Sequence, residues 1–242
     1  MRSANVTAPT DRCAATSPGA KLVNIFVDPG EVFEEVVAAP HSAANWLVPV
    51  FLNCCAGAVL FLMGSAGANS PQRTNDETPA SLTVPATADM GASFNEPGNP
   101  TVVRPDGLAA IVIICFAGTF WSALLLWLGG RLFLKTRFSY LKTVEIAALT
   151  TVIPALGGVV TALLVLATGN GFARPALSLL VGEFNPANRI HEALATINLF
   201  HIWMAAVLSI GLARLSEVPV REVAAWVFGY WIVLRIALLL LA

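Results

Sequence analysis

Apolar residues in this chain fall in long blocks divided by polar stretches, without the short alternation of soluble strands. Blocks over residues 46–63, 107–128, 144–168, 199–212 and 223–241 each predict a membrane-spanning helix. A hydrocarbon core about 30 Å thick needs roughly 20 mostly apolar residues in a helix. The fourth block is short unless it starts within residues 193–198. Ahead of the first block, Asp28 is placed to cap a helix, Pro29 suits its first turn and Glu31 complements its dipole. In the segment that follows, Val32, Phe33, Val36 and Val37 share one face, with Glu31, Glu34 and Glu35 mostly opposite. That pattern predicts a short amphipathic helix, ended by Pro40, lying at the membrane interface or packed on the ends of the spans.

The polar stretches differ in kind. Residues 64–106 are rich in Asn, Ser, Thr, Pro and Gly and lack a helical period, which predicts a long flexible loop. Residues 1–22 read as a disordered tail, without the apolar run of a secretory signal. A shorter amphipathic stretch begins near Asn188 and leads toward the fourth span. Inside the third span, Pro154 predicts a kink, while Gly157 and Gly158 allow close approach of a neighbouring helix.

Composition supports this division. The 242 residues are 56% hydrophobic and 12% charged, with a mean hydropathy of +0.72. A soluble domain carries roughly 25% charged residues. The expected fold is therefore all-α and integral to a membrane: a tail over 1–22, then a domain over 23–242 with an interfacial helix and a five-helix transmembrane bundle. A net charge of −1 excludes the basic face of a nucleic-acid binder.

Loop charges predict an orientation. Arg2, Arg12, Lys21, Arg131, Lys135, Arg137, Lys142, Arg214 and Arg221 lie on one side, and Arg73, Arg104, Arg174 and Arg189 on the other. The richer side faces the cytoplasm, which puts the N-terminus inside and the C-terminus outside a cell membrane, with the 64–106 loop facing outward.

Candidate chemistry is sparse. His191 and Glu192 begin an HExxH-like run that lacks its second histidine, and His41 and His201 are distant in sequence, so no metal site is expected. Cys54, Cys55 and Cys115 lie in apolar blocks and Cys13 in the tail, without metal or disulfide spacing. No nucleophile has a plausible base, no phosphate loop is present, and neither enzyme activity nor a cofactor is expected. Two ionisable residues stand near membrane depth, where charge is expensive and marks a site by default. Glu145, beside Lys142, is placed to reach the interface. Arg235 either snorkels toward the outer interface or takes a buried partner such as Glu183, Glu192 or a backbone carbonyl.

The order of features carries a resemblance. Asp28-Pro29-Gly30-Glu31-Val32-Phe33 comes first, followed by a tryptophan-led span, a basic loop, a third span and an Asn185-Pro186 loop. Ile197-Asn198-Leu199-Phe200-His201-Ile202-Trp203 follows, with Ile210-Gly211-Leu212 downstream. This resembles the bacterial branch of the Yip (Ypt/Rab-GTPase-interacting protein) domain family over roughly residues 23–242, with 64–106 as an insertion. The resemblance implies five spans and a cytoplasmic N-terminus. Eukaryotic relatives bind prenylated GTPases and shape membranes, but the Asp-Leu-Tyr-Gly-Pro segment of that branch is missing here, so GTPase binding is not carried over.

The expected function is a non-enzymatic membrane scaffold, adaptor or membrane-organising factor, whose partners are the bilayer, other membrane proteins or its own copies. A small transporter or channel built on the broken third span is the alternative. Positions expected to matter, by function or by structure, are Pro29, Phe33, Glu145, Pro154, Gly157, Phe200, Trp203, Gly211 and Arg235.

Overall fold

A computed structural model describes residues 16–67, 105–181, 184–185 and 188–241. Residues 1–15 of the tail, most of the 64–106 loop, Glu183 and Pro186 lie outside the described residues. Among those described, the regular structure is helical, apart from one antiparallel bridge between Ala176 and Asn198.

The first helix corrects the expected tail. Residues 18–22 belong to α1, Pro18–Val27, which Ser17 caps by accepting from the Ala20 N–H at 3.3 Å. Ser17 as a cap, Pro18 in the first turn and the apolar residues Leu22, Ile25 and Phe26 are the local signals of this helix. Its stability comes from tertiary burial of Ile25, which is fully enclosed. Asp28 then joins two helices. Its N–H closes α1 onto the Asn24 carbonyl, and its carboxylate caps α2, Pro29–Ala38, by accepting from the Glu31 N–H at 3.1 Å. The two helices form a short hairpin.

Among the described residues, four helical stretches are long and apolar enough to cross a membrane: Ala44–Gly64, Gly107–Leu132, Tyr140–Thr168 and Leu199–Ser216. They belong to α3 (Ala44–Gly67), α4 (Pro105–Leu132), the pair α5 (Tyr140–Thr150) and α6 (Val152–Thr168), and α8 (Leu199–Ser216). A short α7, Arg189–Thr196, precedes α8, and α9, Val220–Leu241, packs on α8. The fourth expected span is lengthened at its C-terminal end. Asn198 caps α8 by accepting from the Phe200 N–H at 2.9 Å, so residues 193–198 stay outside it.

The third expected span starts four residues early and is divided at Thr151, three residues before Pro154. Proline has no N–H for the carbonyl four residues back, and its ring crowds that carbonyl. At the break two hydroxyls bond back to carbonyls of the preceding turn: Thr150 donates to the Ala147 carbonyl at 2.7 Å and Thr151 to the Ala148 carbonyl at 2.7 Å.

Helix α5 is the centre of the molecule. Every residue from Lys142 through Thr150 is buried, with α2, α3, α4 and α8 packed around it. Close approach depends on glycine at two of the expected positions. A Cβ on Gly211 of α8 would stand 2.6 Å from Ile146 and 3.0 Å from Phe33, and one on Gly157 of α6 would stand 2.8 Å from the Phe200 ring. Gly211→Val is accordingly expected to destabilise by about 1–3 kcal/mol through overpacking. Gly229→Ala on α9, where a Cβ meets nothing within 4 Å, is expected to stay within about 0.5 kcal/mol of the parent or to gain helix propensity. Thermal unfolding of both variants in detergent checks the pair.

Candidate functional site

Glu145 lies in the second turn of α5 and is 1% exposed. A carboxylate so placed needs hydrogen-bond donors, because burying an unmatched charge costs several kcal/mol or more. The link between α2 and α3, with the first turn of α3, supplies three of them. His41 Nδ1 lies 3.1 Å from Oε1, the Ser42 N–H donates to Oε1 at 3.0 Å, and the Asn45 amide donates to Oε2 at 3.1 Å. An ionised carboxylate only accepts, so His41 carries its proton on Nδ1 in this arrangement. The fourth donor is Lys142, one turn earlier on α5, with Nζ 3.3 Å from Oε2.

Lys142 also donates to the Val36 carbonyl at 2.6 Å, satisfying an orphan carbonyl in the last turn of α2. Glu145 and Lys142 together thus fasten both ends of the α2–α3 link to the central helix. Glu145 does not extend to the interface as its position beside Lys142 suggested; that lysine is buried with it. Lys142 leaves the set of loop charges, and so does Lys21, whose buried ammonium pairs with Glu35 at 3.2 Å.

The hairpin has further polar ties. The Thr16 N–H donates to Glu35 Oε1 at 3.0 Å, and Arg214 at the end of α8 meets Glu34 at 2.7 Å. Burial by itself would raise the Glu35 pKa, but the bonds from Thr16 and Lys21 outweigh it and hold the carboxyl below its ordinary value.

The expected positions fall into contacts more than into chemistry. Pro29 opens α2. Phe33, fully buried, fills the space beside Gly211, and Phe200 lies over Gly157. Trp203 stands edge-on to Phe26 at 5.5 Å and near Phe200 at 6.3 Å, so this aromatic pair packs inward on α1 and α6. Pro154 sets the break between α5 and α6.

Arg235 takes a side-chain partner, though a different one from those named for it. Its Nη2 lies 3.2 Å from His201 Nδ1 on the facing α8, and its guanidinium sits 5.7 Å from the Trp231 ring. Neither Glu192 nor a backbone carbonyl is its partner among the described residues, and Glu183 lies outside them. The three histidines serve three separate places: His41 on Glu145, His201 on Arg235, and His191 accepting from the Asn185 N–H at 3.0 Å.

Residue patterns did not point to His41, Ser42 and Asn45 as partners of Glu145, nor to His201 as the partner of Arg235. The available signal was the Lys142/Glu145 spacing, three residues apart on one helix, together with polar residues at the threshold of an apolar block.

A model of the Yip1 domain family matches residues 23–242 of this chain. No curated protein matches it, and no solved structure does.

Replacing Glu145 by Gln would leave the Lys142 ammonium buried without its carboxylate, with an expected loss of about 3–5 kcal/mol. The double substitution Lys142→Met, Glu145→Leu is expected to recover part of that loss, read by thermal unfolding of the purified variants. For Glu35 the sign follows from the lowered pKa. Its contribution is complete above the ordinary glutamate value of about 4.3 and is lost as pH falls through the lower folded-state value. The difference in Tm between the parent and Glu35→Gln should therefore be largest near neutral pH and vanish in strong acid.

Proposed function

Because the chain belongs to the Yip1 domain family, we propose that it is a non-enzymatic membrane scaffold or adaptor, which organises partners or lipids through its helical surface. The observation that carries this reading is the way the polar interior is used up. Both Glu145 oxygens are occupied by four donors of the same chain, and Lys142 is divided between Glu145 and the Val36 carbonyl. Groups so occupied hold helices in place; they are not aimed at a passing solute.

A transporter built on the broken third span calls for a polar cavity along it. The cleft beside that span, about 490 Å³ between α3 and α6, is lined by Phe26, Leu52, Val152, Leu156, Val159 and other small or apolar residues. Its chemistry suits lipid tails or an apolar helix and favours the scaffold reading. GTPase binding and nucleic-acid binding form no part of the proposal.

The proposed topology has five spans, with α9 as the last. Its 22 residues extend about 33 Å at 1.5 Å per residue, enough to cross. Several of its large side chains, including Val233 and Ile236, are exposed as lipid-facing residues would be. With Lys21 and Lys142 removed from the loop charges, Arg131, Lys135, Arg137, Arg214 and Arg221 still lie on the side of the α2–α3 link. That bias supports a cytoplasmic N-terminus and a C-terminus across a cell membrane. The amphipathic α2 supports an interfacial role for its outer face, since Glu31 and Glu34 point outward while Val32, Phe33 and Val36 are buried.

Crosslinking in membranes followed by native purification tests the scaffold reading: a defined oligomer or a specific partner is expected. Monomer alone, together with solute flux in liposomes above that of protein-free vesicles, would overturn it. For topology, cysteines placed singly at the two chain ends should label from opposite sides of sealed vesicles.

A further inference from the structure

The Arg235–His201 pair holds a cation that no carboxylate meets among the described residues, at one end of α8 and α9. The two helices are joined by a short turn at residues 217–219, and their register matches about that turn. His201 lies 15 residues before Ser216, and Arg235 lies 15 residues after Val220. Both therefore stand about 22 Å along their helices from the turn, deep in a hydrocarbon core about 30 Å thick and near its far boundary.

A guanidinium only donates, so His201 Nδ1 accepts and the imidazole is neutral, with its proton on Nε2. The contact fixes the guanidinium without neutralising its positive charge. Among the described residues the ion pairs are Lys21–Glu35, Lys142–Glu145, Arg214–Glu34 and His41–Glu145, and none reaches Arg235. Trp231, one turn before Arg235 on the same helix face, flanks the cation with its ring. Its indole N–H is buried and has no acceptor among the described residues. The unmet groups at this place are thus donors, and one carries a charge. Elsewhere in the molecule buried charge is matched with care, as the Glu145 cluster illustrates.

We propose that Arg235, positioned by His201 and flanked by Trp231, binds the phosphate of a phospholipid headgroup at the membrane face opposite the α1–α2 hairpin. A phosphate has acceptor oxygens that accept the planar fork of arginine two at a time, and it neutralises the charge. Arg235 is half-buried, so the residue keeps some accessible surface for such a ligand. Headgroup phosphates stand at the boundary that the arginine approaches. The inference rests on α9 crossing the bilayer beside α8. The end-labelling experiment decides that point by itself, whereas phosphate binding is read in detergent and does not depend on sidedness.

The test is native mass spectrometry of the full-length protein in detergent, titrated with dioleoyl-phosphatidylglycerol and, separately, with dioleoylglycerol, which has the same tails and no phosphate. The parent should retain the phospholipid in clear preference. Arg235→Gln should lose about tenfold in apparent affinity, as expected for a charge-assisted hydrogen-bonded contact. Arg235→Lys keeps the charge without the fork and should fall between them. His201→Phe, which frees the guanidinium, should weaken retention while leaving the charge in place. Monodisperse elution and an unchanged Tm qualify each variant. Equal retention of the two lipids by the parent, or parent-like phospholipid retention by a folded Arg235→Gln, overturns the proposal. Should Arg235→Gln fail to fold, parent-like retention by folded Arg235→Lys overturns it equally. Inorganic phosphate is the last arm: failure to displace the lipid supports the headgroup as the source, and displacement at low millimolar concentration overturns that assignment in favour of free phosphate.

Discussion

A single buried carboxylate ties the rest of this molecule together. Glu145 lies in the central helix with almost no exposure, where an ionised group is tolerated only if its oxygens are met. Meeting them draws in His41 and Ser42 from the link between α2 and α3, Asn45 from the first turn of α3, and Lys142 from its own helix. The constraint works in both directions. The carboxylate requires the link to pass over the start of α5, and the link thereby fixes where α2 ends and α3 begins. Lys142 extends the same logic to the Val36 carbonyl. An ion pair of this kind need not add net stability over an apolar replacement, but it permits few alternative arrangements.

Apolar packing then follows from how closely the helices come to α5. Gly211 lets α8 approach Ile146 and makes room for Phe33 of the hairpin, while Gly157 lets Phe200 lie on α6. Between helices surrounded by lipid tails, dispersion contacts at short range replace the hydrophobic drive available in water. The hairpin thereby becomes part of the bundle: Ile25 and Phe33 are as deeply buried as any residue of the spans. Its outer face keeps the carboxylates, with Glu34 and Glu35 held by Arg214 and Lys21.

The two ends of the bundle handle charge differently. At the end near the hairpin, cations and carboxylates are paired across helices. At the other end Arg235 leans on a neutral histidine and a tryptophan. A closed, internally satisfied polar cluster suits a protein whose work is done at its surface. An unmatched arginine toward the far end of the last helix suits contact with the lipid phosphates of that membrane face.

How much of this was legible in the residues depends on the range of the forces involved. Block length and hydropathy determined the helical class and the places of the spans, because the bilayer thickness acts on each segment alone. The Asp28 cap, the helix after Pro29 and the break ahead of Pro154 were equally local, set by backbone donors within four residues. The family was legible in the order of such features. The site was legible only as isolated positions: Phe33, Gly211, Gly157 and Phe200 stood out, but nothing local said that they pair. Helix α1 had local signals in Ser17, Pro18 and its apolar residues, but what Ile25 packs against lies far along the chain. The partners of Glu145 lie about 100 residues before it and that of Arg235 lies 34 residues before it. A hydrogen bond has no sequence signature at such separations, so only the tertiary structure decided which polar groups meet.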